Sequence, residues 1–445
     1  MAFGDIRVAD RAEWLIDRIV TTGSLVLRKL GETRAGEVAI QRFLSSRYVA
    51  VDRLVETVVG RTAAQCAGRR VLAVQDTTEF NFSGREKRRT GFGPGGDGKA
   101  AGFFMHPLIA VDVESEAMVG LVDLTIWTRA GTKNPRRGNK AFEEKESERW
   151  ILGCRAAASV LSQAAQVIVV ADRDSDLYPL FAEKPAGVDL IVRACQDRKL
   201  ADETHLFEAC SKEPLLGTSL VRVAPRGPGD KERIANVELR TARVSIVRPA
   251  AYVDKGFPET VEITLVEARE VGAPKGKTPL LWRLLTTLEA NTVEQTCDIV
   301  RFYRLRWRIE QTFRALKSDG LALEDSQVTG VEHMFNLAAA GLIAAVRTIQ
   351  LVDARDGSPR PTTDVLDDVF APALERISKK LEGATARQKN PHSMSSLAFV
   401  AWVAARLGGW NCYGKPPGPK TMRTGWNELA AMLCGYALAT QEKNP

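Results

Sequence analysis

The clearest hydrophobic pattern in the chain lies between Asp298 and Lys317. Apolar side chains recur there at the three- and four-residue spacing of one helix face, at Phe302, Leu305, Ile309, Phe313 and Leu316. At about 100° per residue these positions fall within an arc of roughly 80°. The segment contains neither Gly nor Pro, so we predict one amphipathic helix across it.

A polar stripe borders this apolar face. It consists of Tyr303, Arg306, Glu310 and Lys317, whose spacing returns them to nearly the same angle around a helix. Three other arginines, Arg301, Arg304 and Arg308, are predicted to lie on the far, solvent-exposed side. The spacing fits a surface helix with an Arg306–Glu310 ion pair. It also fits a carboxylate metal ligand beside phosphate-binding cations.

Two short apolar runs are predicted to be buried strands, and each ends in an aspartate. The run that opens Arg70–Phe82 ends at Asp76, and the run from Gln166 ends at Asp172. From the residues alone, such an aspartate can simply cap a turn. The acidic residues from Asp172 to Glu183 match the spacing of an EF-hand calcium loop, but that loop needs Gly where Leu177 stands, and it follows a helix. We therefore exclude an EF-hand.

The rest of the chain alternates between helical and extended patterns. Helices are predicted within 1–68, over 142–164 and 330–352, and through most of 356–445. Strands are predicted at 103–113, 117–129, 188–194 and 280–287, and short alternating runs over about 200–280 indicate antiparallel strands. Two basic segments, Arg85–Gly98 and Thr132–Lys140, are predicted to be loops. Each is either a solvated loop or a DNA-contacting one.

Composition narrows the choice of function only slightly. The 445 residues carry a formal net charge of +7, which suits a polyanionic partner without requiring one. The seven cysteines are scattered and include no C-x-x-C, which argues against a disulfide framework or a zinc knuckle. Polar residues interrupt the apolar 330–352 helix, so we predict a core helix there and no membrane span. We interpret His106 as structural.

The polar stripe reproduces a known signature. Tyr303, Arg306, Glu310 and Lys317 match the Y-(2)-R-(3)-E-(6)-K spacing of bacterial cut-and-paste transposases, and YRLRWRIEQTFRALK resembles the transposon-five type of the insertion-sequence-four family. V-Q-D-T-T at Asp76 resembles the first catalytic aspartate motif of that family. V-A-D-R-D-S-D resembles the second, with Asp172 as ligand and Arg173 and Asp176 as its flanks. A further block matches at Glu144, Lys145, Glu146, Ser147 and Trp150.

The resemblance implies an α/β fold with a ribonuclease-H-like catalytic core at 69–355. A β-rich insertion at about 200–280 would interrupt this core. Helical regions would flank it: a DNA-end-binding domain at 1–68 and a dimerisation region at 356–445. The resemblance is weaker over the insertion and weakest before residue 40. Of the implied properties, DNA contacts by the N-terminal region are therefore the least supported.

The resemblance also implies a set of site residues. Asp76, Asp172 and Glu310 would be catalytic and would bind Mg²⁺ or Mn²⁺, with two ions per active site. Carboxylates without His or Cys form a hard oxygen site that suits these ions. The implied DNA contacts are Arg193, Trp282, Tyr303, Arg306 and Lys317. Of these, Trp282 would stack on a displaced base, although a Trp in an apolar strand usually belongs to a core.

The implied function is that of a DNA transposase. It would bind the terminal inverted repeats of its insertion sequence, cleave them through a hairpin intermediate, and join them to target DNA. Its partners would be double-stranded DNA and a second copy of the chain in the paired-end complex, with no membrane. We expect a cytoplasmic bacterial protein, associated with the nucleoid when it acts. Two alternatives stay open: a catalytically silent DNA-binding regulator and a metal-dependent nuclease of the same fold.

Overall fold

The structure is a computed structural model of the full chain. It describes residues 3–82, 90–96, 100–129, 146–223, 232–317, 321–355, 357, 360–366 and 368–441. The chain forms two compact units. The first comprises Met1–Cys66, Thr77–Pro135 and Arg308–Pro445, and the second comprises Ala67–Asp76 and Arg136–Trp307. The assignment of separate DNA-binding, catalytic and dimerisation domains stays a prediction.

Helices and strands alternate along most of the chain. The helices are α1 (Ile6–Thr22), α2 (Leu27–Gly31), α3 (Arg34–Leu44), α4 (Val51–Cys66), α5 (Arg149–Val160), α6 (Tyr178–Ala182), α7 (Leu206–Ala209), α8 (Val293–Leu305), α9 (Trp307–Lys317), α10 (Val331–Ala354), α11 (Ala371–Leu381), α12 (Leu397–Leu407) and α13 (Pro419–Gln441). The strands are β1 (Arg70–Gln75), β2 (Thr78–Asn81), β3 (Gly93–Pro94), β4 (Ala101–Asp112), β5 (Met118–Trp127), β6 (Gln166–Ala171), β7 (Val188–Arg193), β8 (Gly217–Val223), β9 (Arg233–Val247), β10 (Thr260–Glu270) and β11 (Leu281–Thr286).

The second unit is built on a mixed sheet with the strand order β1-β6-β7-β11-β10-β9-β8. Strands β1, β6 and β7 run parallel, and their near-continuous apolar sequences are almost entirely buried. The strands of the predicted insertion, β8 to β10, pair antiparallel and join this sheet through β11. The prediction of antiparallel strands over 200–280 is confirmed. These strands extend the sheet that carries the two aspartate motifs.

The first unit is organised around helix α10. This helix contacts α1, α3, α4, α12, α13 and β5, while β2, β3 and β5 pair antiparallel with β4. By length and composition α10 could cross a membrane, but 83% of its most apolar 18-residue window is buried within the protein. The burial agrees with the prediction of a core helix.

The predicted single helix over 298–317 is wrong, because two helices occupy this segment. Helix α8 begins five residues earlier than predicted, after Thr292, whose side chain forms a capping box with Gln295. It ends at Leu305, and the N–H of Arg306 bonds to the carbonyl of Tyr303. Helix α9 then starts at Trp307. No Gly or Pro causes the break, so local sequence patterns do not reveal it.

The burial of this segment also differs in part from the prediction. All five residues of the predicted apolar face are buried: Phe302, Leu305, Ile309, Phe313 and Leu316. Tyr303, assigned to the polar stripe, is buried as well, at 4% exposure. Arg308 is not on the solvent side, because its side chain is 23% exposed and pairs with Asp353 at 2.7 Å. Arg301 and Arg304 are half-buried.

The terminal regions are helical, as predicted. The N-terminal helices pack on α10 within the first unit. Helix α12 is enclosed on nearly all sides, since Leu397–Ala405 are buried, and its main contact is with α13. Of the two predicted basic loops, Thr132–Lys140 lies outside the described residues, as do Glu144 and Lys145. In the other loop, Gly93–Pro94 form a short strand against β4, where the sequence predicted no regular structure.

Candidate active site

Asp76 and Asp172 lie at the same edge of the second unit's sheet. Each directly follows the last residue of its strand, β1 or β6. These two strands are parallel neighbours, and their register pairs Val74 with Val170. Continued past the strand ends, this register aligns Asp76 with Asp172. Both aspartates also interact with Arg306, so two of the three predicted carboxylates lie at the same sheet edge, at the carboxyl ends of strands where open α/β sheets bind ligands.

Arg306 supplies a positive charge to this pair of aspartates. Its Nη1 donates a hydrogen bond to Oδ2 of Asp76, whose side chain is 10% exposed. Burial raises the pKa of the Asp172 carboxyl, while the amide of Asp174 and the charge of Arg306 act in the opposite direction. The sequence predicted Arg306 as a DNA contact. The structure adds that it balances the charge of a buried aspartate.

Asp176 anchors the turn that follows Asp172. It is 1% exposed, and its Oδ2 accepts the backbone N–H groups of Cys195 at 2.8 Å and of Gln196 at 2.9 Å. Its Oδ1 accepts Nη2 of Arg198 at 2.6 Å. The sequence placed Asp176 beside the second motif but missed Arg198, because no spacing links residues 22 positions apart across a strand. These bonds fix the Asp172 turn to the residues after β7.

Trp282 and Tyr303 pack against each other. Trp282 lies on β11 opposite Ala268 of β10 and is half-buried. Its ring is 5.1 Å from that of Tyr303, at an interplanar angle of 75°, which is a favourable edge-to-face geometry. The Tyr303 ring thus packs against the partly exposed indole of Trp282. Stacking of Trp282 on a base stays a prediction.

Arg193 and Lys317, the other predicted DNA contacts, occupy different units. Arg193 ends β7, is half-buried, and donates from Nη2 to the carbonyl of Leu281 at 3.3 Å. Lys317 ends α9 in the first unit, with its ammonium 5.3 Å from the ring centroid of Phe80. Both roles in DNA binding stay predictions.

Glu310 lies in the first turn of α9. It is half-buried and belongs to the first unit, whereas the two aspartates belong to the second. Its role as the third carboxylate stays a prediction.

The chemistry of the two aspartates fits a hard divalent cation. Both offer carboxylate oxygens, the ligands that Mg²⁺ and Mn²⁺ prefer. Within the described ranges, no group of three or more His, Cys, Asp or Glu side chains has the arrangement of a metal site. The fit to a cation therefore rests on Asp76 and Asp172.

His106 lies beside the first motif in the first unit. It is 3% exposed, and its Nδ1 is 2.9 Å from Oγ1 of Thr77, the residue after Asp76. This contact agrees with the structural role predicted for it.

The sequence also matches a known family across the region just described. Residues 74–347 match the transposase DDE domain, a span of well over half of the 445-residue chain. The span includes Asp76, Asp172 and Glu310, the three carboxylates predicted from their motifs. The chain belongs to the transposase DDE domain family.

Proposed function

We propose that the protein is a transposase that binds the terminal inverted repeats of its insertion sequence, cleaves them and joins them to target DNA. The observation that carries this proposal is the Asp76–Asp172 pair with Arg306 beside it, in a chain of the transposase DDE domain family. Transposases act on DNA, and DDE transposases generally use divalent metal ions. The narrower assignment to the transposon-five type of the insertion-sequence-four family rests on the Tyr303, Arg306, Glu310 and Lys317 spacing.

In this proposal, Asp76, Asp172 and Glu310 hold Mg²⁺ or Mn²⁺, with two ions per site. Such ions activate the attacking water or 3′-hydroxyl and stabilise the departing 3′ oxygen. Arg306 neutralises Asp76 before metal and DNA arrive. With a metal ion bound at Asp76, the Arg306 guanidinium would be available to hold a phosphate, for which its fork of N–H donors is well suited.

A groove between α1 and α3 supports end binding by the N-terminal helices. It has a volume of about 840 Å³, and its polar lining consists of Arg7, Arg11, Arg34, Arg42, Ser46, Tyr48 and Asp5, which pairs with Arg7. All four arginines are exposed, and arginine-rich surfaces bind DNA phosphates. Replacing Arg11 and Arg42 with Ala should weaken binding to the inverted repeat and reduce its salt dependence. Unchanged affinity and salt slope would remove this groove from the DNA interface.

The hairpin step is proposed to use Trp282. A base that leaves the stack needs an aromatic platform, and Trp282 is partly exposed while Tyr303 braces its ring. Lys317 and Arg193 would hold neighbouring phosphates.

The proposed homodimer of the paired-end complex would use α13. Helix α12 is enclosed within the subunit, so it offers little to a partner, whereas Met432 on α13 is 46% exposed. Met432→Glu should eliminate paired-end complexes on native gels while single-end binding persists. Paired complexes of normal yield would move the dimer contact away from this face of α13.

One experiment separates the transposase from the two alternatives. Purified protein is incubated with Mg²⁺ and DNA that carries the inverted repeats flanking its gene, then with a target plasmid. A transposase cleaves at the repeat ends and joins them to the plasmid. A nuclease cleaves without joining, and a silent regulator binds without cleaving. Either of the last two outcomes would refute the proposal.

A further inference from the structure

A buried ion pair joins the start of α9 to the end of α10 within the first unit. Nη1 of Arg308 lies 2.7 Å from Oδ1 of Asp353, and the Asp353 side chain is 6% exposed. The second oxygen, Oδ2, accepts the backbone N–H of Met118 at 2.9 Å. Arg360 donates to the carbonyl of the same Met118 at 2.6 Å. The Asp353 carboxylate is thus fixed by a side chain and by the first residue of strand β5.

Burial of such a pair costs desolvation free energy. The pair stabilises the contact between α9 and α10 only when both charges are present. A carboxylate removed from water is destabilised unless hydrogen bonds and an opposite charge satisfy it. Asp353 has the amide of Met118 and the guanidinium of Arg308. Removal of Arg308 would leave a buried negative charge without its nearest cation, and the start of α9 would lose its attachment.

The pair fixes how α9 is rotated about its own axis. Arg308 is the second residue of α9, and Glu310 lies two residues later in the same turn. Two residues correspond to about 200° of rotation, so anchoring Arg308 on one side directs Glu310 to nearly the opposite side. At its other end α9 approaches α10 closely, where a Cβ added to Gly341 would lie 3.3 Å from Cδ2 of Leu316. Helix α9 is therefore held at both ends.

We infer that Arg308 and Asp353 are positioning residues: their ion pair sets the direction of the Glu310 carboxylate and so supports its proposed role as a metal ligand. The inference rests on the proposed function, because it assumes that Glu310 is a metal ligand. Asp353 lies beyond residues 74–347, the span that matches the family, so the match gives it no role. Neither residue touches a reacting atom; both act through the orientation of α9.

The test compares Arg308→Ala with Arg376→Ala, which removes the same charge from an exposed position on α11 of the first unit. Three quantities are measured: affinity for inverted-repeat DNA, binding of Mn²⁺ to the protein–DNA complex by EPR titration, and the Mg²⁺ concentration for half-maximal cleavage. We expect Arg308→Ala to bind DNA normally but to need about tenfold more Mg²⁺ or Mn²⁺, as is typical when support for a metal ligand is lost. Arg376→Ala should behave as the wild type.

Arg308→Lys provides a second, milder variant in case Arg308→Ala does not fold. It keeps the charge but lacks the planar fork of donors, so its metal requirement should fall between those of the wild type and Arg308→Ala. A merely structural role would lower thermal stability and DNA affinity together and leave the metal requirement of the folded fraction unchanged. That result, in Arg308→Ala or in Arg308→Lys, would overturn the inference.

Glu310→Ala distinguishes failure of this inference from failure of the proposed function. If Glu310→Ala retains normal Mg²⁺-dependent cleavage, Glu310 is not a ligand and both ideas fail. If Glu310→Ala is inactive while Arg308→Ala keeps the wild-type metal requirement, the proposed function stands and only the positioning role is wrong.

Discussion

The guanidinium of Arg306 pairs with the carboxylate of Asp76, 230 residues earlier in the chain. Arg306 follows the last residue of α8, and Asp76 follows the last residue of β1. The pair places a fixed positive charge beside an aspartate that we propose as a metal ligand. The Arg306 guanidinium and a divalent ion would compete for the same carboxylate, and this competition can be measured.

Arg306→Gln should bind Mn²⁺ more tightly than the wild type in the absence of DNA, because it lacks the competing charge. The same variant should cleave DNA poorly, since the proposed phosphate contact is lost. Its free energy of unfolding should fall by about 1.5–3 kcal/mol, the typical contribution of a hydrogen bond to a charged group. Calorimetric titration with Mn²⁺ and chemical denaturation measure these changes. Mn²⁺ affinity at or below the wild-type value would argue against competition, and Arg376→Gln, at an exposed position on α11, is the matched control.

Trp282→Ala should nick DNA nearly normally and then accumulate nicked product with few hairpins. The first nick needs no displaced base, whereas the hairpin does, and an aromatic platform contributes roughly 1–3 kcal/mol per stacked base. Trp282→Phe keeps a ring on which a base can stack, so it should restore much of the hairpin yield. Denaturing gels that resolve nicked and hairpin products provide the measurement.

The opposing interpretation of Trp282 is core packing. Truncation of a fully buried Trp costs about 3–5 kcal/mol, and DNA binding, nicking and thermal stability would then decline together. Because Trp282 is half-buried against Tyr303, we expect a smaller loss of stability. A joint decline of all three quantities would show that the indole acts only as packing.

Much of the fold could be predicted from the sequence, because the signals involved are local. Apolar runs ending in Asp76 and Asp172 predicted buried strands, and the structure makes them parallel neighbours. Short alternating runs predicted the antiparallel strands of the insertion. In both cases the pattern reflects which neighbouring side chains are buried, and a run of a few residues is enough to show it.

The features that the sequence did not predict depend on partners far along the chain. The residues next to Arg306 in the sequence do not indicate that a helix ends there, and the partner of its side chain, Asp76, lies 230 residues away. Arg308 has the pattern of an exposed residue, yet its side chain is half-buried because it pairs with Asp353. A charged arginine side chain must be either paired with an acidic group or solvated by water. Which of the two applies depends on the tertiary structure.

Cys195 should react slowly with iodoacetamide at pH 8, although it is exposed. The thiol is nevertheless partly shielded from water, and this desolvation, together with the negative charge of Asp176, raises its pKa to about 11. About one molecule in a thousand therefore carries the reactive thiolate at pH 8. Alkylation, followed by mass spectrometry, should accelerate about tenfold per pH unit between pH 8 and 10. Rapid alkylation already at pH 7, with little acceleration up to pH 10, would mean that Asp176 does not hold the residues after β7 as described.

We propose that Asp172 binds a divalent metal ion during DNA cleavage, and exchange of its oxygen ligand for sulfur tests this most directly. Mg²⁺ binds thiolates poorly, whereas Mn²⁺ accepts them more readily. Cleavage of inverted-repeat DNA by Asp172→Cys is measured in each ion, beside the wild type, which should cleave in both. We predict no cleavage by Asp172→Cys in Mg²⁺ and recovery of cleavage in Mn²⁺. Cleavage at the wild-type rate in Mg²⁺ would show that Asp172 is not a metal ligand.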